Sequence, residues 1–218
     1  LDVLTERGIT PTLCINAKVL ETRPRLAEAL HGAGWEFMAH CYEQMHISKV
    51  PDQQAMIRQT VDVIQNYTGS FPAGWLGPGL GQTFATADYI SEAGFKWFAD
   101  YVMDDLPFWV RTAHDPMLAI PYTVELNDIP IMTGSHHESH VMLDRVKAAL
   151  KVLHRDAERH DSVRVLCFSV HPYISGAAHR FGYFEEILET LQQHPDVVFM
   201  TSEEIYNWYV AQDPPPSA

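Results

Sequence analysis

The chain has 218 residues, of which 46% are hydrophobic, and a formal net charge of −13 at pH 7. A chain of this size and composition can close a substantial core, either as one large domain or as two small ones. Its acidity argues against nucleic acid and anionic membrane surfaces as partners, because no basic patch can form on it.

The first eight residues predict the end of a helix, with Gly8 as its cap. A helix capped in this way usually follows an earlier strand in a βα unit. The chain also begins with Leu1 rather than methionine. We therefore expect an N-terminal truncation that has removed a first strand.

Strands and helices alternate along the rest of the chain. The patterns predict strands at 10–16, 35–40, 95–98, 107–111, 117–123, 164–170 and 196–200. They predict helices at 22–33, 52–67, 83–93, 139–159, 183–193 and 202–211, and a loop at 69–81. This alternation predicts a largely parallel, barrel-like α/β layer. No repeat or linker divides the chain, so we expect one domain over residues 1–212 and a disordered tail at 213–218.

The three cysteines are few and scattered. Cys14 and Cys167 lie inside apolar, strand-like runs, and neither they nor Cys41 form a CxxC motif. This predicts buried free thiols and a reducing compartment. No apolar stretch is long enough to span a bilayer and no signal peptide is visible, which together with the thiols predicts a cytoplasmic protein.

Two predicted strands end in a histidine. The apolar run that begins at Cys167 continues directly into His171, and Pro172 ends the pairing. The strand at 35–39 likewise ends at His40. The C-terminal end of a buried strand is where α/β barrels carry their chemistry, although a histidine there can also serve only as a hydrogen-bonded packing residue.

The loop from Trp75 to Thr83 is rich in glycine. It lacks the lysine of a phosphate-binding loop and the GxGxxG spacing of a dinucleotide turn, so nucleotide binding is disfavoured. Glycines such as Gly79 let the backbone come close to a ligand. We expect the loop to contact a ligand through its backbone.

Asp104 and Asp105 form an acidic pair followed by the aromatic Trp109. Neighbouring side chains in an extended segment point to opposite sides, so only one of the two acids is expected in a pocket. Solvated loop acids are the alternative. In the preferred interpretation, Trp109 packs on the ligand.

Histidines also raise the question of a metal site. His40 and His46 are six residues apart, and Gln44, a poor zinc ligand, occupies the position four after His40. His136 and His140 have helical spacing but do not form an HExxH motif. A polar loop with incidental histidines is therefore favoured over a metal site.

Several short motifs appear in a fixed order along almost the whole chain: Gly34–His40, Trp75–Thr83, Asp104–Trp109, Ile120–Thr123 with Asn127-Asp128, and Ser169–Pro172 with Ile174–Gly176. In these motifs the chain resembles the polysaccharide deacetylase (NodB-homology) family, and most of all its branch of cofactor-independent allantoinases and related cyclic-amide hydrolases. The resemblance implies a distorted (β/α)7 barrel, here lacking its first strand.

The resemblance also implies a function, the hydrolysis of non-peptide carbon–nitrogen bonds in linear or cyclic amides without a cofactor. It implies that His171 protonates the departing nitrogen. Asp105 is the residue we expect to orient either the substrate or His171. The residues predicted to bind a small amide or ureide are His40, Trp75, Gly79, Asp104, Trp109, Asn127 and Tyr173. The family resemblance further implies a homo-oligomer, a tetramer.

Two alternatives stay open. The first is a zinc-dependent or other divalent-metal N-deacetylase of polysaccharide or peptidoglycan sugars, in which His40 binds the metal with His46 or Gln44. Gln44 replaces the second histidine of the family pattern and Leu76 replaces an arginine, and both departures disfavour this alternative. The second is a non-catalytic scaffold, because the acidic first strand of the family is absent.

Overall fold

A computed structural model describes residues 1–216, so the last two residues of the predicted tail at 213–218 lie outside it. The chain forms two compact units, which we name by their content. The sheet unit contains residues 1–101, 107–120 and those from 199 onward, and the helical unit contains residues 102–106 and 121–198.

The sheet unit is built on six strands within the described residues. They are β1 (Thr12–Ile15), β2 (Glu36–Ala39), β3 (Gly74–Trp75), β4 (Trp97–Phe98), β5 (Phe108–Val110) and β6 (Met117–Ala119). Their order is β1-β2-β3-β4-β6-β5, and every pair is parallel except β5 with β6. The predicted largely parallel α/β layer is confirmed.

Helices flank these strands in the chain. They are α1 (Asp2–Glu6), α2 (Lys18–Thr22), α3 (Pro24–Gly32), α4 (Gln53–Thr68), α5 (Thr86–Glu92), α6 (His140–His160), α7 (Pro172–Ser175), α8 (Ala178–Gln192) and α9 (Ser202–Gln212). Helices α3, α4, α5, α6 and α9 lie close to their predicted positions, whereas α2 and α7 were not predicted and α8 begins before the predicted residue 183. The Asp52 side chain accepts a hydrogen bond from the Ala55 backbone N–H at 2.9 Å, so it caps α4. Gly69, with a φ of 78°, ends the same helix in the left-handed conformation.

The core of the sheet unit lies between the sheet and its helices. Ile57 and Ile64 of α4 are buried in one apolar cluster with Trp75, Phe95 and Phe98. Trp75 has no exposed surface, and its ring meets that of Phe95 edge-on at 5.4 Å. Burial of these large aromatic side chains stabilises the sheet, because each removes much apolar surface from water.

A half-buried carboxylate attaches α9 to the sheet. Glu36 Oε2 accepts from the Ser202 backbone N–H at 2.8 Å, and Glu36 Oε1 accepts from the Ser202 hydroxyl at 2.7 Å. Burial raises the pKa of Glu36. Thr201 and Glu204 add a capping box at the same helix end, so the start of α9 has partners for its free backbone N–H groups.

The helical unit has α6 and α8 as its main elements. The buried residues of α6 include Met142 and Val146, and those of α8 include Phe184 and Ile187. The predicted strand at 164–170 is extended but joins no ladder, and its pairing within the described residues is one parallel bridge between Asn127 and Ser169. Residues 197–200 form no strand either. A strand needs a neighbouring backbone as well as an apolar sequence, and the sequence pattern tests only the second condition.

The cysteines are free, as predicted, but they differ in exposure. Cys41 is buried, and burial raises its pKa to about 12. Cys14 is exposed, which corrects the prediction of a buried thiol. It lies on β1, at the edge of the sheet, where one side of the strand has no neighbouring strand.

Within residues 1–216, none of the helices combines the length and the apolar character needed to cross a bilayer.

Candidate active site

His171 is the central residue of the candidate site in the helical unit. The extended segment before it ends with His171 at φ −114° and ψ 126°, and Pro172 then begins α7. A proline is favourable in the first turn of a helix, where its missing N–H has no partner to lose. The sequence Val-His-Pro therefore turns the chain sharply at the histidine.

A buried aspartate holds both the ring and the backbone of this histidine. Asp128 has no exposed surface, and its Oδ1 lies 2.6 Å from His171 Nδ1. Asp128 Oδ2 accepts from the His171 backbone N–H and from the Ser175 hydroxyl, both at 2.7 Å. Three hydrogen bonds to one buried carboxylate fix its position and that of the imidazole.

This geometry determines the tautomer of His171. An ionised carboxylate only accepts hydrogen bonds, so Nδ1 carries the proton that faces Asp128. Nε2 then has no partner among residues 1–216, and the side chain is 33% exposed. A neutral His171 offers Nε2 as a base, and a protonated His171 offers it as an acid.

Asp128 is the functional residue that sequence reasoning missed. We predicted that Asp105 orients the substrate or His171, and the structure corrects the second of these roles by placing Asp128 on Nδ1. A signal was present, because Asn127-Asp128 was one of the ordered motifs. We assigned substrate contact to the amide and did not assign a role to the acid beside it.

The Asn127 side chain forms hydrogen bonds within the protein. Its Oδ1 accepts from the Ile129 backbone N–H at 3.0 Å, and its Nδ2 donates to the Tyr122 hydroxyl at 3.2 Å. The residue is 9% exposed. These contacts correct its predicted role as a donor to substrate carbonyls.

Tyr173 lies beside the catalytic candidate, as expected. Its ring is 74% exposed and meets the His171 ring edge-on, with centroids 5.8 Å apart. An exposed aromatic ring beside the imidazole can form one wall for a flat ligand. Contact between Tyr173 and a substrate stays a prediction.

The acidic pair lies elsewhere on the helical unit. Asp104 and Asp105 are exposed, and they border a groove of about 950 Å³ alongside α6, which we name the α6 groove. Asp104 Oδ1 accepts from the Leu106 backbone N–H at 3.1 Å, and the Asp105 carbonyl accepts from the Val165 N–H at 2.8 Å. Neither His171 nor Asp128 lines this groove.

The sheet unit has its own polar residues at the C-terminal ends of parallel strands. His40 follows β2, and its Nδ1 lies 2.6 Å from the Leu76 carbonyl oxygen. Asp100 follows β4, and its Oδ1 accepts from the Gly77 backbone N–H at 2.8 Å. A Cβ at position 77 would lie 2.8 Å from that carboxylate oxygen, so glycine is needed there.

Asp100 was not predicted from the sequence. It is 6% exposed, and burial raises its pKa to about 7, although the Gly77 N–H acts in the opposite direction. The sequence feature that indicates Asp100 is its position, an acidic residue two positions after the buried strand β4. A buried carboxyl that titrates near neutrality at strand ends is typical of a functional position.

The raised pKa of Asp100 predicts a pH-dependent stability. Its folded pKa of about 7 lies above the ordinary 3.8, so the protonated carboxyl stabilises the fold at low pH and this contribution is lost as the pH rises through 7. Between pH 3.8 and about 7 the unfolding free energy of the wild type should fall by about 1.4 kcal/mol per pH unit relative to Asp100→Asn, and above pH 7 the difference between the two proteins should level off. Urea denaturation from pH 5 to 8 measures this difference. Asp104→Asn, an exposed acid, is the control, and parallel curves for wild type and Asp100→Asn would contradict the prediction.

His40 and His46, the predicted metal ligands, each have a hydrogen-bond partner within the sheet unit. His40 Nδ1 faces a carbonyl, and His46 Nδ1 lies 2.7 Å from the Ser48 hydroxyl. The His46 ring occupies the space beside Gly81, where a Cβ would lie 2.7 Å from Nε2. Across residues 1–216, no three histidine, cysteine or acidic side chains are grouped so that they could hold a metal ion.

The two tryptophans predicted to wall the pocket contribute to the fold instead. Trp75 is fully buried in the core of the sheet unit, which corrects its predicted exposure to substrate. The Trp109 indole N–H donates to the Asp213 carbonyl at 3.0 Å, and its ring lies near Tyr209 of α9. That contact corrects its predicted role on the ligand. Gly79 is exposed with a φ of 64°, as expected for a loop that offers its backbone.

Comparisons with known proteins place these observations in a family context. Residues 1–98 match the sequence model of the polysaccharide deacetylase family. No curated protein matches the chain. A probable polysaccharide deacetylase from Pseudomonas aeruginosa has a TM-score of 0.88 at 24% identity, over 98% of this chain and 72% of that one. PuuE allantoinase has a TM-score of 0.89 at 23% identity, over 99% and 72% respectively.

A third solved structure is described as a pseudoenzyme of the CE4 family, from Bacillus anthracis. It has a TM-score of 0.60 at 13% identity, over 94% of this chain and 58% of that one. At these sequence identities the three structures show a common fold, and the chemistry has to be argued from the residues of the site. The chain is thus similar to the polysaccharide deacetylase family in sequence over residues 1–98, and it has the α/β fold with a parallel sheet of the solved deacetylase and allantoinase structures.

Proposed function

We propose that the chain is a hydrolase of non-peptide carbon–nitrogen bonds in small linear or cyclic amides. The observation that carries this proposal is the contact of His171 with the buried Asp128. It leaves Nε2 of an oriented imidazole as the group that can exchange a proton with a ligand.

Amide hydrolysis requires a water to add to the carbonyl carbon and a proton for the departing nitrogen. In the proposed mechanism, His171 Nε2 takes a proton as the water oxygen bonds to carbon, which forms a tetrahedral intermediate. The imidazolium then gives that proton to the nitrogen as the carbon–nitrogen bond breaks. Asp128 stabilises the imidazolium between the two steps and keeps the proton on Nδ1 in place.

The choice of substrate class is supported by two points. Small ureides and imides are more strained or more electrophilic than peptides, so positioning and acid–base help can suffice for them. A solved structure with a TM-score of 0.89 to this chain is named as an allantoinase. We propose a flat cyclic ureide or imide, which would pack against the exposed Tyr173 ring.

A second candidate is N-deacetylation of a sugar. It is supported by the family match over residues 1–98 and by the Pseudomonas aeruginosa structure described as a probable polysaccharide deacetylase. The sequence departure at Gln44, which takes the place of the second histidine of the family pattern, does not favour it. The structural likeness to a pseudoenzyme also keeps a non-catalytic scaffold as a third outcome.

One experiment separates the three candidates. The purified chain is assayed for turnover of a panel of cyclic ureides, imides and N-acetylated amino sugars, each with and without EDTA. We expect hydrolysis of a ureide or imide that EDTA does not change, because His171 and Asp128 act without a metal. Activity on N-acetyl sugars that EDTA abolishes and zinc restores would support the deacetylase. Absence of turnover across the panel would support the scaffold.

A further inference from the structure

The α6 groove lies on the helical unit, and neither His171 nor Asp128 lines it. Its volume of about 950 Å³ lies in the range of small-molecule pockets. The groove is bordered by four segments of the helical unit, which are α6, residues 102–105, residues 121–126 and residues 165–167. The helix α6 forms its floor, and the other three segments form its sides.

The floor of the groove is apolar and open to solvent. Ala149, Val152 and Leu153 of α6 line it, whereas Met142 and Val146 of the same helix are buried in the core. Two further lining residues, Val102 and Met103, are 40% and 75% exposed, and Val152 is 43% exposed. Apolar side chains that line a groove and stay accessible to water are typical of a binding surface.

The edge of the groove is negatively charged. Asp104, Asp105 and Glu125 line it, against a single guanidinium, that of Arg145. Arg145 Nη1 donates to the Glu125 backbone carbonyl at 3.0 Å, which leaves both Glu125 carboxylate oxygens available. Neither the Asp105 nor the Glu125 side chain has a hydrogen-bond or ion-pair partner in the part of the chain that the structure describes. A ligand group that complements the negative charge of this edge is therefore a cation.

The length of the groove decides between a small amphiphile and a protein partner. The floor of the groove extends along α6 from Arg145 to Leu153, a helical rise of eight residues. Such a floor is about 12 Å long, which accommodates an alkyl chain and is short for a partner helix.

We infer that the α6 groove binds an amphiphile made of an alkyl chain and a protonated amine. The chain lies on the apolar face of α6, and the ammonium group lies at the carboxylates of Asp105 and Glu125. This inference does not depend on the proposed hydrolase function, because neither His171 nor Asp128 lines the groove.

The test is a binding titration of the full chain by isothermal calorimetry, with dodecylammonium, dodecanoate and dodecanol below their aggregation concentrations. We expect dodecylammonium to bind at one site and dodecanoate not to bind. The double variant Asp105→Asn/Glu125→Gln should weaken dodecylammonium binding roughly three- to tenfold, the usual worth of exposed ion pairs. Ala149→Trp, which fills the floor, should weaken binding further, and circular dichroism confirms that each variant is folded.

The matched control is the double variant Glu138→Gln/Asp144→Asn. It removes two exposed acids of the same unit that do not line the groove. Equal weakening by the control would show a general charge effect and overturn the inference. Equal binding of dodecanoate, or binding that survives Ala149→Trp in a folded protein, would also overturn it.

Discussion

Replacing His171 with alanine should lower kcat toward a ureide or imide by about two to four orders of magnitude, the usual contribution of a positioned acid–base group. The reason is the position of Nε2, which has no partner among the described residues while Nδ1 is held by Asp128 at 2.6 Å. No other group in the proposed mechanism carries the proton from water to nitrogen. The change should leave the free energy of unfolding within about 1–2 kcal/mol of the wild type, because a third of the side chain is exposed.

The measurement is steady-state turnover together with urea denaturation of the same preparation. His179→Ala, an exposed histidine of α8 in the same unit, is the matched control and should keep full activity. Activity that survives His171→Ala in a stable protein would remove His171 from the mechanism. If His171→Ala lowers the free energy of unfolding and leaves turnover unchanged, His171 is a packing residue.

Replacing Asp128 should affect both activity and stability, and two variants separate the effects. Asp128→Asn keeps the volume but lets an amide N–H face His171, which favours the tautomer with the proton on Nε2. We expect kcat to fall by about two to four orders of magnitude, the same range as a lost acid–base group. The free energy of unfolding should change less than in Asp128→Ala.

Asp128→Ala should also destabilise the protein. It leaves the His171 backbone N–H and the buried Ser175 hydroxyl without their acceptor, and each unsatisfied buried donor costs about 1–3 kcal/mol. Ser175→Ala is the control, since it removes one donor and keeps the contact of Asp128 with His171. Asp128→Asn with wild-type turnover would show that the carboxylate does not orient the imidazole.

Some features of this protein could be read from local sequence alone. Asp52 and Gly69 mark the ends of α4, because capping depends on residues within one helical turn. Pro172 directly after an apolar run predicted the turn at His171 and, with it, the nearness of Tyr173, two residues further on. The alternation of strands and helices predicted the parallel sheet.

Other features depended on contacts between distant segments. Asp128 contacts His171 from 43 positions away in the chain. Asp105, which lies in another of the ordered motifs, does not contact His171. Trp75 and Trp109 looked alike as pocket walls, yet one is buried in the core and the other donates to Asp213, 104 residues away. Cys14 is exposed although it lies in an apolar run, because the exposure of a strand residue depends on which segments cover its face of the sheet.

The sequence by itself therefore determined most of the helices, the parallel α/β arrangement and the position of His40 at the end of β2, because each depends on periodicity or on a cap within a few residues. The tertiary structure alone decided which acid pairs with His171, that Asp100 is buried at a strand end, and that a groove with an acidic edge borders α6. A side chain's partner and its exposure depend on segments that are distant in sequence, and local patterns carry no information about that distance.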